Sequence, residues 1–290
     1  MNKKILVVGT GFLGEKLVKQ LKENNFQVLG TSFKKLKNNN IFLDISNLNS
    51  IQEVVEKFKP KIIINCAANT NVDLIESDPD AGYLINSFGP KNLAIICHKN
   101  KIKLIHISTD SIFDGKEEFY LEEDIPNPIN VYSKSKLLGE KLIVENLSDY
   151  IIIRTNFFGF HEDGFFLLNS VLKNLHEKKE FNGFDDVFFN PMEISNLNEA
   201  IIELCHQDFI GIINLTSDKI ISKYQFALNV ARIFNLDSQL IKKGSIKDFQ
   251  FIAKRPINTS LSNLKAKQIL KTKIMSIEDS LKKIQENTNF

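Results

Sequence analysis

The chain of 290 residues reads as an α/β protein, a Rossmann-like doubly wound parallel sheet with a smaller C-terminal substrate-binding lobe. Three observations predict it. Continuous apolar runs recur through the first half, as strands buried on both faces require. Helical periodicity fills the intervals, the pattern of right-handed βαβ crossovers. The first run also passes through a G-x-G-x-x-G turn directly into a helix.

Ile5, Leu6, Val7 and Val8 form the first, central strand, and Gly9, Gly11 and Gly14 follow it. The first glycine permits a tight turn, the second lets backbone approach a pyrophosphate, and the third lets the helix pack on the strand. Leu13, Leu17, Val18 and Leu21 then recur at helical spacing, so a helix N-terminus would face the anion. Further strands are expected at residues 26–32, 41–44, 61–68 and 103–109, with helices before and after the fourth. An acidic, proline-rich loop comes next, in which Pro126 and Pro128 bar helix until about Val131. A helix over 131–147 and a strand over 150–156 close a dinucleotide-binding unit, residues 1–156. Helices near 165–178, 197–206, 223–234, 263–270 and 277–286, with strands near 179–184 and 211–216, build the lobe 157–290. That lobe would lie over the carboxyl edge of the sheet, where open α/β sheets bind ligands, with some segments returning to the larger unit.

Composition narrows the classes. The net charge is +2, and Lys and Arg are scattered among 35 acids, so no basic stripe suggests nucleic acid. A secretory h-region and a bilayer-length apolar run are both missing from the sequence, which points to no membrane and to the cytoplasm. Cys66, Cys97 and Cys205 form no C-x-x-C pair and read as reduced, buried thiols. The histidines show no ligand spacing, so no metal site is expected.

The chemistry lies in the middle of the chain. Tyr132 and Lys136 stand four apart on a helix and share one face. An ammonium beside a phenol draws its pKa down from about 10 toward working pH, which suits acid–base work. Ser108, Thr109 and Asp110 sit at the carboxyl end of the fifth strand, where a hydroxyl could meet a substrate carbonyl or cap a turn. At the end of the second strand no acid is present to hold a ribose 2′-hydroxyl. Thr31, Ser32, Lys34 and Lys35 stand there instead, suited to a 2′-phosphate and so to NADPH, with NADH use left open.

In order along the chain come G-T-G-F-L-G, "NCAANTNVD", "STDSIFDG", "PINVYSKSKLLGE", "RTNFFG" and "KRPINTSLS". Together they resemble the dTDP-4-dehydrorhamnose reductase family of extended short-chain dehydrogenases/reductases over nearly the full length. The resemblance implies that Tyr132 protonates a sugar C4 ketone as nicotinamide delivers hydride. Thr109 would orient that oxygen, and Lys136 would hold the nicotinamide ribose and depress the pKa of Tyr132. Gly9, Gly11, Phe12, Leu13 and Gly14 would surround the pyrophosphate, Asp44 and Ile45 would meet the adenine, and Ala67, Ala68 and Thr70 would line the nicotinamide half. Asp110, Asn156, Phe157 and Arg255 are the substrate-side candidates. Asp110 serves equally as a structural cap, Phe157 as core, and Arg255 as a salt-bridge partner rather than a ligand for a diphosphate. The chain departs from the family in having no Trp and in carrying "DDVFFNPM" where relatives have D-Q-x-G-x-P-T. The implied partner is a nucleotide sugar, and a homodimer is left open. The readings kept beside the reductase are an epimerase or dehydratase with bound NAD and a non-catalytic NADP-binding regulatory subunit.

Overall fold

Successive residues of the apolar runs go to opposite faces of one sheet. In β1 (Lys4–Val8), Ile5 and Val7 enter one core layer, while Leu6 and Val8 enter the other. The same division holds in β4 (Ile62–Asn65), β5 (Lys103–Ile107) and β6 (Tyr150–Thr155). With β2 (Gln27–Ser32), β3 (Ile41–Phe42) and β11 (Gly211–Leu215) they make a seven-stranded parallel sheet, in the order β11-β6-β5-β4-β1-β2-β3. The computed structural model describes residues 3–33, 41–161 and 166–288. Among these, no helix is long and apolar enough to cross a membrane.

Helices flank both faces. α1 (Phe12–Glu23) covers one side, and α2 (Leu48–Phe58) lies on the other. The stretch after β4 is not one helix. It breaks into α3 (Val72–Ser77), α4 (Pro79–Tyr83), a π-helical turn (Leu84–Phe88) and α5 (Gly89–Asn100). Asp78 caps α4 and Pro79 and Pro90 occupy first-turn positions, so each restart has a local cause. α6 (Val131–Asn146) packs on α5 and on the π-helical turn.

The second half serves two cores. α7 (Leu167–His176), α9 (Lys223–Ile233) and α11 (Ile277–Asn287) enclose their own apolar cluster around Leu172, Phe226 and Leu281. α8 (Ile194–Leu204) packs on α1, α10 (Leu264–Ile269) on β11, and β11 pairs with β6. Short strands link the two regions: β7 (Phe157–Phe158) pairs with β10 (Met192–Glu193), β9 (Phe188–Phe189) with β12 (Ile221–Ser222), and β8 (Phe181–Phe184) with β13 (Ile241–Gly244). These strands are too short for an apolar period, and of them only β8 falls where the sequence placed a strand.

Candidate active site

The glycine turn is sterically tight on two sides and open on the third. Gly9 has φ +88°, and a Cβ on it would lie 2.5 Å from the Ala67 nitrogen. A Cβ on Gly14 would lie 2.1 Å from the Gly9 carbonyl oxygen, whereas one on Gly11 would meet nothing within 4 Å. That free space opens before α1, whose N-cap Gly11 offers no side chain to the helix amides. An anion can therefore approach the backbone there. Gly9, Gly11, Phe12, Leu13 and Gly14 line one cavity together with Cys66, Ala68, Thr70, Tyr132, Lys136 and Phe157. Phe166 closes it, stacked on Phe12 with ring centroids 4.0 Å apart.

α6 delivers Tyr132 and Lys136 to this cavity. Asn130 caps the helix by accepting from the Ser133 N–H at 2.8 Å, and Glu76 accepts from the Val131 N–H at 2.8 Å. Gly139 lets the helix approach the π-helical turn, because a Cβ there would lie 2.3 Å from the Asn86 carbonyl. Asn86 in turn binds the backbone of Asn69 at both ends of its amide and donates to Ser135. The loop carrying Ala67, Ala68 and Thr70 is thereby tied to α6.

Beneath α6, Glu140 is buried against Arg154 at 2.9 Å and also accepts from the Ser108 hydroxyl. Such a pair is costly to break, at about 3–5 kcal/mol when one partner is removed. It braces the strand end from which Thr109 and Asp110 project. The sequence reading gave neither Glu140 nor Arg154 a role, although a Glu on the buried face of a helix signals a partnered charge.

Thr109 donates to Asp110 Oδ1 at 3.1 Å and lies near enough to the Tyr132 phenol to act on its pKa. Asp110 also accepts from Ser111 at 3.1 Å and from Asn156 at 2.8 Å. Its carboxylate is buried and accepts from all three, so it orients Thr109 and Asn156. Burial pushes the Tyr132 phenol up to about 12, the nearby Thr109 hydroxyl opposes this, and Asp110 adds to it. Lys136 is not among those causes. Its Nζ donates to the Ile107 carbonyl at 2.7 Å, and burial draws it down to about 8 against the pull of Glu140 and Cys66. The expected depression of Tyr132 by Lys136 is therefore replaced by a phenol that keeps its proton, the state a general acid needs.

Thr31 is fully buried, with its hydroxyl donating to the Val7 carbonyl at 3.3 Å, so that hydroxyl is engaged within the sheet. Ser32 ends β2, and Lys34 and Lys35 lie outside the described residues. Asp44 closes a local turn by accepting from the Ser46 N–H and hydroxyl, and Ile45 packs in the core beneath Gly89. Arg255 pairs with Asp73 at 2.7 Å, and Asp73 also accepts from the Ala253 N–H. The salt bridge is thus present at Arg255, while its second terminal nitrogen is buried without a partner. Phe157 both borders the cavity and packs near Phe12, at 6.1 Å between ring centroids. Lys223, which the sequence reading missed, starts α9 with Nζ 3.2 Å from the Phe189 ring centroid. Burial draws it down to about 8, opposed by the charge of Asp110.

The family model for the RmlD substrate binding domain matches residues 3–289. The chain belongs to that family. Within it, the chain is 29% identical over 296 residues to a dTDP-4-dehydrorhamnose reductase of Aggregatibacter actinomycetemcomitans, covering 97% of this chain and 98% of that one. It is also 29% identical over 280 residues to methionine adenosyltransferase 2 subunit beta of Bos taurus, covering 90% of this chain and 80% of the relative. A crystal structure of dTDP-4-dehydrorhamnose reductase from Bacillus anthracis in complex with NADP superposes with TM-score 0.92 at 28% identity, covering 99% of this chain and 100% of the other.

Proposed function

We propose that this protein is an NADPH-dependent reductase of the C4 ketone of a nucleotide-activated 4-keto-6-deoxy sugar, acting in the cytoplasm in polysaccharide or deoxysugar synthesis. One observation carries the reading: Tyr132 and Lys136 line the same cavity as the open glycine turn, with Thr109 beside Tyr132. The turn fits a dinucleotide because the space before α1 is free at Gly11, where backbone alone faces a phosphate. When bound, the reduced nicotinamide supplies hydride. Gly9, Gly11, Phe12, Leu13 and Gly14 hold the pyrophosphate, Ala68 and Thr70 border the nicotinamide half, and Lys136 holds the ribose. Ser32, Lys34 and Lys35 hold the 2′-phosphate. Thr109 orients the ketone oxygen, and Tyr132 donates its proton to that oxygen. The NADP complex of the Bacillus anthracis reductase supports the cofactor.

A second reading, a non-catalytic NADP-binding regulatory subunit, is favoured by the likeness to methionine adenosyltransferase 2 subunit beta. One assay separates them. Purified protein with NADPH and dTDP-4-keto-6-deoxy-L-mannose is expected to lose reduced-nicotinamide absorbance in proportion to product. NADPH binding without oxidation by this or related 4-keto sugar nucleotides would leave the regulatory reading standing.

A further inference from the structure

At the carboxyl ends of β4 and β5, an apolar layer gives way to two polar side chains. Ile63 and Leu104 are paired in register and belong to the core on the α2 and α5 side. Two residues further along each strand, on the same face, come Asn65 and His106, also paired in register and both fully buried. The Ala67 N–H donates to Asn65 Oδ1 at 3.1 Å, which fixes the amide orientation. The Asn65 NH₂ therefore meets His106 Nδ1, at 3.0 Å, as the donor. With Nδ1 accepting, a neutral imidazole carries its proton on Nε2. That nitrogen lies 3.4 Å from Lys136 Nζ. An ammonium cannot donate to a nitrogen that already bears hydrogen, but an amine can accept from it.

We infer that Asn65 and His106 are positioning residues that act through Lys136: Asn65 locks the Nε2–H tautomer of His106, whose N–H faces Lys136 and stabilises its amine form during turnover. The inference rests on the reductase reading. As hydride reaches the carbonyl carbon, Tyr132 gives its proton to the carbonyl oxygen, and the Lys136 ammonium returns one to the phenolate across the cavity that both side chains line. The resulting amine accepts the His106 Nε2–H and is reprotonated from bulk solvent when product leaves.

The groups around this nitrogen agree with that role. Glu140 acts on Lys136 from its own helix, on which Tyr132 borders the same cavity, His106 from β5, and Cys66 from the turn after β4. Glu140 is shared with Arg154 of β6, and burial raises the Cys66 thiol to about 12, so it is neutral. Asp110, beyond Thr109, acts on Tyr132. His106 itself is held well below the ordinary imidazole range by burial and by Lys136, so it does not take a second proton near neutrality.

The test has one arm that needs no activity. In [¹⁵N]histidine-labelled protein, the His106 resonances, assigned through their loss in His106→Gln, are expected to show the neutral Nε2–H tautomer from pH 6 to 9. An Nδ1–H tautomer or an imidazolium at pH 7 would overturn the inference. In the second arm, Asn65→Asp supplies an acceptor at Nδ1, switches the tautomer, and leaves Nε2 free to accept from the ammonium. The alkaline limb of kcat is then expected to move up by about one pH unit, with KM for NADPH at pH 7 unchanged. A switched tautomer with an unmoved limb also overturns it. If wild-type protein turns over no 4-keto sugar nucleotide, the reductase reading fails separately. The tautomer spectrum and the pH dependence of NADPH binding, followed by nicotinamide fluorescence, then decide whether His106 governs Lys136.

Discussion

Tyr132→Phe removes one oxygen from the site and leaves the ring, the helix and the glycine turn in place. General acid catalysis by a positioned group is worth about 10²–10⁴-fold, so kcat is expected to fall by about that factor while NADPH affinity, measured by fluorescence, is retained. In wild type the phenol, pushed up to about 12, stays protonated throughout the working range. Lys136, drawn down to about 8, loses its charge as pH rises through that value. Both turnover and NADPH affinity should therefore decline on the alkaline side, a trend a pH profile reads directly. At this scale the sequence was a good guide to which residues gather and a poor guide to their state. Y-x-x-x-K spacing places two side chains on one helix face. It says nothing of the Ile107 carbonyl and His106, which arrive from another strand and meet the Lys136 nitrogen.

Among the elements, the glycine turn carries the most steric information. Gly14→Ala would set a methyl 2.1 Å from the Gly9 carbonyl, in a place where backbone, not a flexible side chain, must yield. Overpacking of this kind costs about 1–3 kcal/mol, and a urea titration of the variant should show it, together with weakened NADPH binding. The turn was legible because its glycines are adjacent in sequence to the strand and helix that need them. The helix start at Pro90 carried a local signal too, yet the helix expected after the fourth strand ran across it. The short pairs β7 with β10 and β9 with β12 had no local signal, since two-residue strands form only when distant segments meet.

For the molecule as a whole, the two halves of the chain do not separate cleanly. Met192, Ile194, Leu197, Ala200, Ile201 and Leu204 cover one face of the sheet, and β11 protects the β6 edge. A fragment of residues 1–156 would expose that apolar face and edge. It is expected to lack fixed tertiary packing, seen as poor amide dispersion and binding of a hydrophobic dye; a well-dispersed spectrum would contradict this account. What the sequence determined by itself was the alternation of strands and helices, the glycine turn and the Tyr132–Lys136 face, because each is set by near neighbours along the chain. Only the tertiary structure decided that Thr31 is buried, that Arg255 is held by Asp73, and that His106 stands behind Lys136. Those outcomes depend on which distant groups share a low-dielectric interior, where an unpaired polar atom is costly and each partner fixes the next.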